Sequence, residues 1–419
     1  MPSWRSKPIM LKSNMQKKIA TKQSNKTITI WYFIIWIAII ALFGLFFYFY
    51  INKQRLAYEI WEYKTLSFSM SEMTIYDNAL IFSDETNHLY SLSLDGTLNW
   101  KLDLECPLEN KLTVSDDFII ISTNAAYQTF YPDTVTNCRN PQRIHVIGKA
   151  DGNVHDIVKT NRSIMAYLAK NERIFFSTTL ELYEKSVTSQ SINLIMGFDQ
   201  NDTRLSGFNS DFYIHNNVLY MKNLYQDVFS FNVDTHELKW RYTSDWNNEE
   251  KDSVEPTLNS RSLIYDEGVI YTVNKVQHST AADVYAFDAE SGVILGRYHI
   301  EAGASPGRLS ASEKHIYIPS VDARVHALRK RDLIPVWDVP TRGSIRGAMV
   351  PYNGVVYAGT QAGGIIGLDE KTGERVYYYP TEHPIPRSLA IQDGIIYFAT
   401  NGGSIHAVRL PDELTVVRN

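Results

Sequence analysis

The sequence predicts an all-β fold, an eight-bladed β-propeller, preceded by one N-terminal transmembrane helix. Three observations predict it. A group of short strands recurs along most of the chain, about every 40 residues where it is clearest, a spacing that suits a propeller blade. Aromatic residues make up 12% of the chain, with 26 tyrosines, which favours half-buried pleated surfaces. One uncharged apolar run, Thr27 to Asn52, lies near the N-terminus.

The repeat is clearest near the C-terminus. Tyr352 to Tyr357 is followed by Gly364 to Asp369, and the same order returns as Gln392 to Tyr397 followed by Ser404 to Val408. Each unit reads as a polar turn, a short apolar strand, a second turn, an apolar strand with a small residue, an Asp/Gly/Asn turn, and a last strand often ending in Trp. The small residue serves as a ruler at Ser91, Gly197, Ser230, Ala286, Ala327, Gly367 and Ala407, with Val146 in unit two. Trp240, Trp337 and Tyr377 each lie ten positions after it. No repeat unit shows an amphipathic helical period. A single four-stranded sheet cannot bury both its faces, whereas eight arranged radially cover one another. The small residue is expected to let neighbouring sheets approach, and the aromatic to fill the wider outer space.

The N-terminal residues set the domain order. Residues 1–26 hold seven Lys/Arg (Arg5, Lys7, Lys12, Lys17, Lys18, Lys22, Lys26) and no acid, leaving 34 basic against 46 acidic residues, a net of −12, in the rest. About 20 apolar residues span a bilayer, and Trp31, Trp36 and the aromatic stretch Phe46 to Tyr50 fit interfacial belts. Basic residues before the run predict a cytoplasmic N-terminus. No small-residue cleavage site follows Tyr50, so the run is expected to stay as a signal anchor. The expected order is a cytoplasmic tail (1–26), a transmembrane anchor (27–52), a helical or stalk segment (53–65) and an extracytoplasmic propeller (66–419), periplasmic on a bacterial inner membrane. The acidic body argues against nucleic acid as a partner. Cys106 and Cys138 either form a disulfide in this exported context or remain as two thiols.

The units resemble the repeats of the pyrroloquinoline-quinone (PQQ) propeller superfamily. Gly354 to Gly359 with Gly363 to Gly373, and Asp283 to Gly292, carry the resemblance best; units two and three carry it least. The superfamily includes quinoprotein dehydrogenases and also non-enzymatic scaffolds, such as the propeller lipoprotein of the outer-membrane β-barrel assembly machine. The chain departs from the dehydrogenases in lacking a vicinal Cys pair and a C-x-x-C-H haem site. It departs from the lipoprotein in having a helix as its anchor.

Catalytic, phosphate-cradling and metal-binding motifs are absent from the sequence. Asp199 to Asp202 reads as a hairpin turn. His145, His326 and His406 recur beside the small residue in three different blades, as expected of a half-buried packing position. Arg308, Arg346 and Arg387 each precede the first strand of a late blade. They are expected at the mouth of the central channel, where a cationic ring would receive carboxylates or phosphates of a partner. These features predict a non-enzymatic, cofactor-free scaffold that binds protein partners in an envelope complex. The alternatives are a PQQ- and calcium-dependent quinoprotein dehydrogenase and a ligand-sensing ectodomain.

Overall fold

The computed structural model describes residues 58–411, apart from 68–70, 124–141, 246–261, 302–307 and the single positions 107, 116, 190, 198, 200, 203, 206, 277, 278, 280 and 321, together with residues 33 and 36–45. The chain divides into two units, Met1–Tyr58 and Glu59–Asn419. Residues 36–45 of the first are helical and exposed. Among the described residues no helix is long and apolar enough to cross a membrane; most of the expected anchor, 27–52, lies outside them.

The second unit is the propeller: eight four-stranded sheets, every pairing antiparallel between neighbours. Seven blades are built from consecutive strands, spanning 74–103, 108–159, 164–196, 213–242, 263–300, 310–340 and 350–379. The eighth takes its first three strands from 390–409 and its fourth from Glu59–Lys64, which pairs with Ser404–Arg409. Residues 53–65 were expected to form a helix or stalk, yet Glu59–Lys64 is a strand that closes the ring. Its alternating half-buried and exposed residues suit an outer strand.

Local chemistry accounts for the first turn of most blades. Asn353 and Gly354 take φ values of 49° and 74°, and Asp393 and Gly394 take 50° and 73°. Two successive left-handed residues make the tight hairpin whose twist matches its strands, which favours Asn-Gly and Asp-Gly pairs.

In blades 1, 4, 6, 7 and 8 the ruler residue lies in the third strand, opposite a large side chain on each side within its own sheet. Ala327 pairs with Tyr317 and Trp337, Ser230 with Tyr220 and Trp240, Gly367 with Tyr357 and Tyr377, and Ala407 with Tyr397 and Trp61. The flanking rings then meet over it, with centroids 5.9 Å apart for Tyr317 and Trp337. A Cβ on Gly367 would lie 2.8 Å from that of Tyr377 and 3.0 Å from the Tyr357 ring. The small residue therefore makes room for aromatics of its own sheet, rather than bringing two sheets together.

Those tryptophans join one blade to the next. The indole N–H of Trp337 donates to the Glu370 carbonyl at 3.0 Å, that of Trp240 to Ala289 at 2.9 Å, that of Trp100 to Lys149 at 2.9 Å, and that of Trp61 to Leu94 at 2.9 Å. Each acceptor lies in or beside the last turn of the following blade. The ring lies flat on a glycine of that turn: Gly292 has φ +72°, and a Cβ there would come within 2.6 Å of the Trp240 ring. Glycine meets both demands, a left-handed backbone and no side chain. Trp61 thus docks the closing blade onto blade 1.

Blades 2, 3 and 5 depart from this scheme; in blade 5 Gly296 stands opposite Ala286. In blade 3 the third strand is Leu182–Ser186 and the fourth is Ile192–Met196, so Gly197 follows the fourth strand and is not the ruler position. Glu184 occupies that position, between Phe175 and Asn193. A charged residue stands where other blades carry a small one, which hid the register. At the junction of blades 2 and 3, Asp156 stands where blades 1, 4, 6 and 8 carry Trp, opposite Val146. Its carboxylate lies 2.6 Å from Nζ of Lys185, a side chain only 2% exposed. The ammonium donates its hydrogens to the carbonyls of Ser186 (3.0 Å) and Ser189. A buried ion pair takes the place of an indole there.

Candidate functional site: the channel mouth and its loop face

Antiparallel order within each blade puts two kinds of connection on one face of the ring: those between second and third strands, and those between one blade and the next. The three longest connections between described strands, 124–142, 197–212 and 243–262, all leave from strand ends on this face. Glu59–Lys64 begins, and Ser404–Arg409 ends, at the opposite face. The chain therefore enters and leaves the propeller away from the long loops.

At the mouth of the channel on the loop face, the segments before or within the first strands are linked across the ring. Arg308 of blade 6 donates to Glu72 of blade 1 at 2.8 Å and lies 3.6 Å from Asp211 of blade 4. Asp211 also receives Lys111 of blade 2 at 3.2 Å. The hydroxyl of Ser388, in blade 8, donates to Glu72 at 3.0 Å and accepts the N–H of Ala348, from blade 7, at 2.7 Å. The Leu309 N–H donates to Ser262 of blade 5 at 2.8 Å, and Tyr167 of blade 3 donates to the Lys111 carbonyl. All eight blades contribute an atom to this net. Glu72 to Arg308 and Arg308 to Asp211 join blades that are not neighbours, so these side chains reach across the axis.

The net changes the meaning of the arginines. Arg308 is half-buried between two carboxylates, so its charge is balanced inside the protein. Arg346 is exposed and Arg387 half-buried. Their segments touch: a Cβ on Gly347 would lie 2.4 Å from the Ser388 nitrogen and 2.5 Å from the Arg387 carbonyl carbon. The mouth carries both signs of charge, not a ring of cations. The balancing acids went unnoticed in the sequence because Glu72 and Asp211 lie in early blades, 236 and 97 positions from Arg308. A second balanced cluster lies on the same face of blade 4. There the fully buried Asp227 binds Arg204 (Nε to Oδ2, 2.9 Å) and Arg241 (2.8 Å).

The three recurrent histidines do not converge. His406 stacks on Phe398 at 5.0 Å and shares a hydrogen bond with Glu59 at 2.7 Å. His326 is buried, which lowers its pKa. Burial, and then the nearby Arg143, pull His145 down from 6.5 to about 4. It is neutral in the folded protein, and the unfolded chain takes up the proton first as pH falls. The stability it contributes is complete above pH 6.5 and is lost as pH falls towards 4, about 3 kcal/mol over that window. Urea unfolding at pH 7.5 and 4.5 should show this loss. His145→Phe, which installs the residue that blade 4 carries there as Phe229, should reduce it.

Asp199 and Asp202 lie in the connection from blade 3 to blade 4 and not in a hairpin. The Asp199 carboxylate accepts the Asn201 N–H at 2.8 Å, and Asp202 pairs with Arg241. Cys106 is buried and disulfide-bonded; Cys138 lies outside the described residues. Among the described residues no group of three or more His, Cys, Asp or Glu could hold a metal ion.

Comparison with known proteins bears on this geometry. Residues 280–412 match the family described as outer membrane protein assembly factor BamB. The fold superposes on BamB from Moraxella catarrhalis with a TM-score of 0.65 at 10% identity, covering 84% of this chain and 99% of that one. The chain resembles the PQQ-like β-propellers. Quinohemoprotein alcohol dehydrogenase ADHIIG from Pseudomonas putida HK5 is also similar, with a TM-score of 0.63 at 12% identity over 86% of this chain and 77% of the enzyme. So is Sqt1 from Saccharomyces cerevisiae, with a TM-score of 0.62 at 12% identity over 84% and 99%. No curated protein matches by sequence. A PQQ-like propeller thus occurs both in an enzyme and in an assembly factor. What this chain does has to be read from its own residues.

Proposed function

We propose that this PQQ-like propeller is a protein-binding scaffold of an envelope complex. Residues 27–52 anchor it in the membrane, the propeller lies outside the cytoplasm, and it docks partners through the loop face. The observation that carries the proposal is the net at the channel mouth. Its charges are satisfied by one another, and they span the space in which a propeller would otherwise hold a ligand. What remains on that face is a surface of loops, away from the entry and exit of the chain.

A PQQ–calcium pair does not fit these residues. Calcium takes six to eight oxygen ligands, whereas Glu72 and Asp211 are taken up by Arg308, Lys111 and Ser388. The match to the BamB family over the C-terminal blades supports the scaffold reading.

Photo-crosslinkers placed at Arg346 and Arg387 in cells test it. The expected result is one dominant envelope protein trapped from both positions, with less adduct after Arg346→Glu. No protein adduct from either position would overturn docking through this face.

A further inference from the structure

Outer strands of a propeller are edges, with one row of N–H and C=O groups left for any strand that arrives. Proteins guard such edges with charge or proline. Seven of the eight outer strands here do so: each carries at least one Lys, Arg, Asp or Glu, and Pro335–Pro340 is bounded by two prolines as well. The exception is Ile192–Met196 in blade 3, with the sequence Ile-Asn-Leu-Ile-Met. It pairs only with Leu182–Ser186 and ends its sheet. Ile192 is 42% exposed and Leu194 56% exposed. The uncharged stretch is longer than the strand and runs from Ser186 to Phe198, on a body whose net charge is −12.

We propose that Ile192–Met196 is a docking edge for a second copy of this chain, which adds its own Ile192–Met196 antiparallel across a two-fold axis. Charge decides the occupant. Two-fold antiparallel pairing sets a strand against its own reverse, and like charges placed opposite one another are destabilising. With the axis at Leu194, each Leu194 faces its counterpart, Ile192 faces Met196, and Asn193 faces Ile195. No charged pair arises at any register within Ser186 to Phe198. This is the one outer strand on which two copies of an acidic body can meet with no charge in the strand. An isologous contact is also the commonest way for identical chains to associate.

A seam of five residues falls below the size of a stable interface, so the association belongs to the weak, reversible class. Crosslinking reads such contacts directly. The full chain is purified in detergent with a photo-crosslinking residue at Asn193, irradiated, and digested for mass spectrometry. The expected product is a covalent dimer joined between two copies of the 192–196 segment. Leu194→Lys should lower its yield at least ten-fold, and the uncharged Leu194→Val should retain it. Leu194 is largely exposed, so thermal unfolding of the Lys variant should match that of the parent and exclude misfolding as the cause. No dimer, a dimer joined elsewhere, or a yield indifferent to Leu194→Lys would overturn the proposal. So would the same probe in cells trapping a different protein in place of a second copy. The test probes the rim and not the loop face, so it stands or falls apart from the scaffold reading.

Discussion

Trp337→Ala should lower the unfolding free energy by about 3–5 kcal/mol, the usual cost of truncating a buried aromatic. Trp337 is 9% exposed and fills three roles at once. It lies opposite Ala327, meets the Tyr317 ring, and donates to the Glu370 carbonyl in the next blade. Removing it opens a cavity against Gly373 and strands that carbonyl. Trp337→Phe keeps most of the apolar area but not the N–H. It should lose about 1–2 kcal/mol, the scale of one hydrogen bond left unmade. Urea unfolding followed by far-UV circular dichroism separates the cases. An Ala variant as stable as the parent would show that the dock between blades 6 and 7 is not part of the cooperative core.

Asp156→Ala should cost a similar amount, about 3–5 kcal/mol, for a different reason. Lys185 is all but sealed from water, and among the described residues Asp156 is its only charged contact, at 2.6 Å. Breaking a buried pair by removing one partner leaves an uncompensated charge, which is far worse than removing both. The double variant Asp156→Ala, Lys185→Met should therefore regain most of the loss, although it removes more of the native structure. A double variant no better than Asp156→Ala alone would mean that the two carbonyls, and not the carboxylate, hold the ammonium.

The two predictions rest on features of unequal legibility. The Trp dock could be read from spacing, because ten positions separate the small residue from the aromatic in three units. Spacing did not reveal what the tryptophan touches, since its acceptor belongs to the next blade. The Asp156–Lys185 pair was invisible. Neither residue matches the repeat, and an ion pair between blades leaves no local pattern. Blade 3 misled for the same reason: Glu184 occupies a position held elsewhere by a small residue, and Gly197 supplied a false register. Trp61 could have been found. Glu59 to Tyr63 alternates like Leu98 to Leu102, with its Trp in the same place.

The candidate site shows the same division. Arg308, Arg346 and Arg387 were legible because they recur just before first strands, and the structure keeps them at that junction. Their charge environment was not legible. Pairing Arg308 with Glu72 and Asp211 depends on which blades face each other across the axis.

By itself the sequence determined the eight-fold repeat, the strand content and the turns. These follow from neighbours along the chain: alternation and turn residues. The tertiary structure alone decided how the ring closes, with Glu59–Lys64 completing the last blade, and how the channel mouth is filled. Ring closure brings residues 347 positions apart into contact, as His406 meets Glu59. Contacts of that kind arise only once all eight blades are in place, and no local pattern encodes them.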